Sequence, residues 1–266
     1  MQGLERRAAL LRALQDYGRV DVAEAARRFG TAEMTIRRDL DALVARGAAR
    51  RVRGGAVSLL LRGEEPPFAV RSLAAPQAKA RIGRAAAALV AEGESVVLDG
   101  GTTALEVARS LAGRRLTVMA VSMHAVGLLG ADPTVEVMVA GGQVRRGELS
   151  AVGPLATASL RSLRFDTAIV GCCGLAEGWV SAHDLGDAEI KRTMLEVSAR
   201  RILVADSSKW GRSATAVVCR VEDFDAVVTD GMAADGMAAD GMAADGAVPA
   251  AVVAALREAN VELVTA

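Results

Sequence analysis

The sequence predicts an α/β protein of two domains: an N-terminal winged helix-turn-helix unit, then an α/β unit with a largely parallel sheet. Three observations predict this. Helix, glycine turn and second helix read as a helix-turn-helix over about residues 20–39, and a basic hairpin pattern follows. From residue 79 short apolar runs alternate with helical periodicity, the mark of strands joined by crossover helices. Charge divides with the pattern: residues 1–62 carry 13 Lys and Arg against 7 Asp and Glu, the remainder 19 against 25. A basic head on an acidic body, in a chain of zero net charge, points to a polyanionic partner at one end.

Length and composition agree with two domains. The 266 residues exceed one usual domain, and 52% apolar residues suffice for two cores. No apolar run approaches the roughly 20 residues of a membrane-spanning helix. Glu5, Arg6, Arg7 and Arg12 interrupt the N-terminus where a signal peptide needs an apolar core. A cytoplasmic protein with no membrane partner is expected. Cys172, Cys173 and Cys219 make no disulfide framework, and the adjacent pair, in an apolar run, reads as buried thiols. With two histidines, His124 and His183, and no CxxC or HxxxH spacing, neither a metal site nor a cofactor is expected.

Leu4 to Tyr17 places Leu4, Ala8, Leu11 and Leu14 at helical spacing, and Gly18 ends that helix. Asp21 is an N-cap for Val22 to Phe29, whose Val22, Ala25, Ala26 and Phe29 share a face. Gly30 breaks the chain. Thr31 to Val44 then sets Ile36, Leu40, Leu43 and Val44 on one face. Met34, Thr35, Arg38, Asp41 and Ala45 point away from it, with Arg37 on the flank. Gly47 is a C-cap candidate. In residues 48–61 two apolar-alternating runs flank Arg53-Gly54-Gly55, as in a hairpin. An arginine pair on a helix is by itself ordinary solvated surface. A helix-turn-helix followed by a basic hairpin is a winged helix, whose second helix enters the major groove of double-stranded DNA. Thr35 and Arg38 are then the base-reading candidates, and Arg37, Arg50, Arg51 and Arg53 the phosphate contacts.

Residues 62–78 hold three prolines and little periodicity, and read as a linker between a DNA-binding domain of residues 1–61 and a second domain of residues 79–266. In the latter, helices are expected at Lys79 to Ala91, Thr103 to Leu111, Met123 to Leu129, Pro154 to Leu160, Gly186 to Ala199 and Pro249 to Ala259. Strands are expected at Ser95 to Leu98, Leu116 to Val121, Val135 to Val139, Thr167 to Val170, Arg201 to Ala205, Ala226 to Thr229 and Val261 to Val264. Residues 231–246 repeat GMAAD three times, too short a period for a solenoid, and read as an expanded surface loop.

Ligands of such sheets gather at the carboxyl ends of the strands. There Asp99-Gly100-Gly101-Thr102-Thr103 joins a buried strand to a helix start. Its amides and threonine hydroxyls suit an anion, and the glycines let a phosphate approach the backbone. A capped strand-to-helix turn is the other reading of that pattern. Gly141-Gly142 and Asp206-Ser207-Ser208-Lys209 follow further strands. If these loops converge, Lys209 neutralises a phosphate while Asp99 and Asp206 accept hydrogen bonds from sugar hydroxyls. Lys191 is a further candidate, and the ligand expected is a phosphorylated sugar or polyol.

Thr35-Ile36-Arg37-Arg38-Asp39-Leu40, with Arg51, Arg53 and Gly54-Gly55-Ala56 downstream, resembles the DeoR family of bacterial transcriptional regulators. The second domain continues the resemblance in Asp99 to Thr103, Gly141-Gly142, Asp187-Ala188-Glu189-Ile190-Lys191 and Asp206 to Lys209. The resemblance implies an effector domain similar in fold to ribose-5-phosphate isomerase, and a repressor of carbohydrate genes released by a phosphorylated sugar. Two positions depart from the family pattern. Ala32 stands where Ser usually caps the recognition helix, and Thr31 is expected to supply the oxygen. Val121-Ser122 replaces the usual Thr-Asn, so the phosphate end is implied and the sugar is left open. A regulator of this kind is expected to be a homodimer or homotetramer. The alternative is a phospho-sugar isomerase-like enzyme with an appended DNA-binding domain, its base one of Asp99, Asp187 and Glu189.

Overall fold

The computed structural model describes residues 3–59, 65–231 and 248–266. The chain forms two compact units, residues 1–76 and 77–266. Apart from Gly231, the expected GMAAD loop lies outside the described residues, as do the last two residues of the expected wing.

The first unit contains α1 (Gly3–Tyr17), β1 (Arg19–Asp21), α2 (Val22–Phe29), α3 (Glu33–Val44), β2 (Ala49–Val52), β3 (Gly55–Ser58) and α4 (Phe68–Arg71). Its core comes from every element: Leu10, Leu11 and Leu14 of α1, Ala25 and Ala26 of α2, Ile36, Leu40 and Leu43 of α3, Ala56 of β3 and Val70 of α4. The 62–78 segment is therefore not wholly linker. Val70 is buried in the first core, and the next helix begins at Pro76. Four residues are too few for a periodicity signal, which is why sequence pattern passes over α4.

Asp21 caps α2 by accepting from the Glu24 amide at 3.0 Å. Gly30, at φ 58° and ψ 42°, ends it in the left-handed region that glycine enters without a Cβ penalty. Thr31 does not cap α3, contrary to expectation. The N-cap is Ala32, with no side-chain hydrogen bond, while the Thr31 amide donates to Ala26 at 3.0 Å and closes the end of α2. Thr31 belongs to the preceding helix end and lies one residue short of the capping slot.

The hairpin is present, and β1 adds a third strand in the order β1-β3-β2. Gly55 is required where β1 crosses, because a Cβ there would lie 2.0 Å from the Val20 carbonyl oxygen. Gly55→Ala should cost about 1–3 kcal/mol or more through forced overpacking. Urea denaturation checks this, and an unchanged midpoint would contradict it.

The second unit runs α5 (Pro76–Ala88), β4 (Ser95–Leu98), α6 (Thr102–Leu111), β5 (Leu116–Ala120), α7 (Met123–Leu129), β6 (Val135–Val139), β7 (Gln143–Arg145), β8 (Ser150–Val152), α8 (Pro154–Arg161) and β9 (Phe165–Gly171). It continues with β10 (Gly174–Ala176), β11 (Trp179–Ala182), α9 (Leu185–Glu196), β12 (Ser198–Val204), β13 (Ala216–Arg220), β14 (Ala226–Thr229), α10 (Ala250–Glu258) and β15 (Glu262–Thr265). Seven strands form a wholly parallel sheet in the order β15-β14-β12-β9-β4-β5-β6.

Alternate residues of each strand feed two cores. Val97, Met119, Val170 and Leu203 pack with Leu160, Ile190, Met194 and Leu256 of α8, α9 and α10. Val96, Leu98, Val118 and Ile202 pack with Ile82, Val107 and Leu129 of α5, α6 and α7. Burial on both faces explains why these strands read as continuous apolar runs.

Sequence pattern misses β7, β8, β10, β11 and β13, which lie outside the main sheet, and extends the α9 helix three residues past its end, the last two within β12. Among the described residues no helix is long and apolar enough to cross a membrane.

Candidate functional site

The strand order reverses between β4 and β9. From β4 the chain proceeds outward through β5 and β6, and from β9 it proceeds the other way through β12, β14 and β15. Helices leave the two halves in opposite directions, so a crevice opens at the carboxyl ends of β4 and β9, the place where open α/β sheets hold ligands. Asp99 follows β4 at that point. It is 1% exposed, and its Oδ2 accepts from the Gly171 amide at the end of β9, 2.8 Å away.

The same Oδ2 is bound by Nζ of Lys191, which α9 delivers from above β9 and which also lies 3.4 Å from Asp187. Burial works against the Lys191 charge, yet the Asp187 and Asp99 carboxylates overcome it and hold the ammonium above its ordinary pKa. The other Asp99 oxygen, Oδ1, is buried and receives no hydrogen bond from the described residues. A buried acceptor without a donor is costly, so a donor from outside the described residues has a place to bind.

Thr102 and Thr103, both buried, open α6 immediately beyond. Gly101 is the N-cap and offers no side-chain acceptor, which leaves first-turn amides for an anion. Gly100 suits the close approach of the β7–β8 hairpin, since a Cβ there would stand 3.0 Å from that of Ser150. Ser150 arrives on the β7–β8 hairpin, which is stitched to the end of β5 by Met123 N to Leu149 O (2.8 Å) and Ala151 N to Val121 O (2.9 Å). Ser122 caps α7 by accepting from the His124 amide at 3.2 Å.

The Asp206 loop joins the same cluster. Asp206 caps Ser208, and the Ser207 amide donates to Asp230 at 2.7 Å. Burial raises the Asp206 pKa, but Lys209 and Lys79 nearby more than offset it and hold the group below the usual carboxylate value. Cys172, just past β9, sits within the fields of Lys209, Asp206, Lys191 and Asp99. Its thiol is pushed up to about 12 by burial, so it is a neutral, weak donor at physiological pH.

The loops bearing Asp99, Lys191, Asp206 and Lys209 thus converge. Gly141-Gly142 follows β6, two strands from β4, and abuts the strand that carries Ser150. Gly142, at φ 110°, takes a packing role, because a Cβ would come within 2.8 Å of the Val152 carbonyl.

Sequence reasoning missed Lys79, Ser150 and Cys172 as members of this cluster. A signal existed for Lys79. The chain holds 29 arginines and only three lysines, Lys79, Lys191 and Lys209, and all three lie in this cluster. Where arginine is used almost everywhere else, a retained lysine marks a place that needs a compact point charge.

In the first unit, α3 buries Ile36, Leu40 and Leu43 and turns Met34, Arg37, Arg38 and Asp41 to solvent, with Thr35 half-buried. Asp39 of the Thr-Ile-Arg-Arg-Asp-Leu string is structural. It is buried and binds Arg6 at 2.6 Å and Arg7 at 3.4 Å, tying α3 to α1. Arg37 pairs with Glu33 at 2.9 Å, and Arg51 of β2 pairs with Asp41 at 3.2 Å. Arg38, Arg50 and Arg53 are exposed and make no ion pair among the described residues.

A helix-turn-helix with a basic wing, followed by an α/β domain with a charged crevice at its switch point, defines a ligand-responsive DNA-binding regulator. Comparison with known proteins agrees. Residues 6–60 match the DeoR-like helix-turn-helix domain and residues 74–231 the DeoR C terminal sensor domain. The chain belongs to the DeoR family of transcriptional regulators.

It is 34% identical to the transcriptional repressor AccR of Agrobacterium fabrum, over 85% of this chain and 89% of that one. It is 33% identical to the HTH-type transcriptional regulator GlpR of Haloferax volcanii, over 85% and 89%. Among solved structures, ribose 5 phosphate isomerase A from Neisseria gonorrhoeae aligns with 18% identity and a TM-score of 0.35, over 51% of this chain and 53% of that one.

Proposed function

We propose that this protein is a repressor of carbohydrate genes that binds operator DNA through α3 and the β2–β3 wing and is released by a phosphorylated sugar or polyol. The observation that carries the ligand half is the orphaned Oδ1 of Asp99 at the switch point, beside Lys191 and the amide end of α6. In this reading the phosphate takes the first-turn amides of α6, with Gly100, Gly101, Thr102, Thr103 and Lys209 around it. Asp99 and Asp206 accept hydroxyl hydrogen bonds, and Lys79 and Cys172 complete the wall. Ser122 and Ser150, small and polar, set which sugar fits.

The enzyme alternative loses support from the same geometry. Asp99 and Asp187 are both ion-paired to Lys191, and a carboxylate paired with an ammonium is a poor proton acceptor. Glu189 is taken up by Arg161 and Arg192 on the outer side of α9.

Release requires that the sugar bind the DNA-competent and DNA-incompetent arrangements unequally. The readout proposed is the spacing of two winged helices in a homodimer or homotetramer, since half-site separation is a geometric constraint. Calorimetric titration with ribose 5-phosphate, glucosamine 6-phosphate and their unphosphorylated parents tests the ligand half. Binding of a phosphorylated member that Asp99→Asn abolishes supports it. Equal binding of phosphorylated and parent sugars contradicts it.

A further inference from the structure

The exposed residues of α3 include two acids, Glu33 in its first turn and Asp41, where a phosphate-binding surface would avoid them. Each is compensated differently. Asp41 is held by Arg51 of the wing at 3.2 Å, a contact between elements that fixes the wing against the helix. Glu33 is held by Arg37, one turn along the same helix, at 2.9 Å with side-chain exposures of 50% and 47%. That pair braces nothing else. It stands at the N-terminal turn of the helix, whose residues are the ones that approach base edges.

An exposed i,i+4 pair is worth only a few tenths of a kcal/mol, too little to explain placing a carboxylate against a polyanion. Base chemistry explains it better. In the major groove an ionised carboxylate can only accept, and a guanidinium can only donate. A G·C pair offers the matching set on one edge: two acceptors on guanine and one amino donor on cytosine. Adenine and thymine in the same place present the donor and acceptors in another order.

We propose that Glu33 and Arg37 together read one G·C base pair in each half-site, Arg37 donating to guanine O6 and N7 and Glu33 accepting from the cytosine N4 amino group. Arg37 is then a base reader rather than a phosphate contact. Glu33 is a specificity residue that repels every sequence lacking that amino group. The inference rests on α3 being the groove-entering helix. It leaves Arg38, unpaired and beside this couple, to a neighbouring base.

The test is selection of a randomised duplex library by the full-length protein, with Glu33→Gln, Glu33→Asp and Arg37→Ala in parallel and thermal melting of each. Wild type should enrich a site containing an invariant G·C pair in each half. Glu33→Gln and Arg37→Ala should each relax the preference at that one position by about tenfold or more and preserve the others. Affinity of Glu33→Gln for random duplex should not fall. Glu33→Asp, which keeps the charge but shortens the reach, should relax the same position.

A Glu33→Gln variant that melts lower but selects the unaltered site would overturn the proposal, leaving Glu33 as a helix-terminal charge. Uniform loss at all positions would overturn it equally. Failure of the wild type to enrich any sequence would remove the DNA reading of α3 itself.

Discussion

Replacing Lys191 with methionine is expected to destabilise the C-terminal unit by about 3–5 kcal/mol, the usual consequence of stranding a buried charge. The fully buried Asp99 loses its ammonium, and Asp187 loses one of its contacts, since Lys191 serves both. Asp99 is then buried with one oxygen already orphaned and the other held only by the Gly171 amide. Pairing the change with Asp99→Asn removes the stranded charge and should restore most of the stability. The double variant should still fail to respond to any sugar phosphate, because the crevice has lost its carboxylate and its ammonium. Urea denaturation of the single and double variants checks the first statement. A single variant within 1 kcal/mol of wild type would show that the ion pair is not what holds β4, β9 and α9 together.

Arg38→Ala is expected to weaken binding to the specific operator by roughly tenfold to a hundredfold, the worth of one good base contact. Random duplex should be bound nearly as before. Arg51→Ala makes the contrast. It removes a phosphate contact and also frees Asp41, so specific and random duplexes should weaken together and the salt slope should flatten by about one. Anisotropy titrations at several salt concentrations separate the two. If both variants act alike on both duplexes, the division between base reading and phosphate contact is wrong.

Much of this was legible in the sequence because the physical signals are local. The caps and breaks at Asp21, Gly30 and Gly54, the arginine-bearing face of α3 and the apolar strand ending in Asp99-Gly100-Gly101 all declare themselves within a few residues. What was not legible depends on the third dimension. Asp39 looks like one more charge on a polar helix, and only the packing of α1 shows that it is buried against Arg6 and Arg7. Asp41 and Arg51 are ten residues apart and meet only because the hairpin folds back.

The sequence offers Lys191 only as a further candidate, since its helix alternates charge and apolar residues without marking which charge faces inward. Its burial against Asp99 follows from α9 crossing β9. The three-residue strands of the β7–β8 hairpin are too brief for an alternation signal, yet the hairpin brings Ser150 to the crevice. The Thr31 expectation failed for a related reason. A one-residue difference in where α2 ends decides which residue occupies the next capping slot, and sequence patterns do not resolve one residue.

The central claim is that one chain couples operator binding at α3 to a phosphorylated sugar at Asp99. Fluorescence anisotropy of the purified protein on the duplex selected by the wild type, at fixed salt, tests it directly. Sugar phosphates and their unphosphorylated parents are titrated in. Release by one phosphorylated sugar and not by its parent, lost in Asp99→Asn while DNA affinity is retained, is the predicted result. Specific binding that no member of the panel alters, or release that survives Asp99→Asn, would contradict the account.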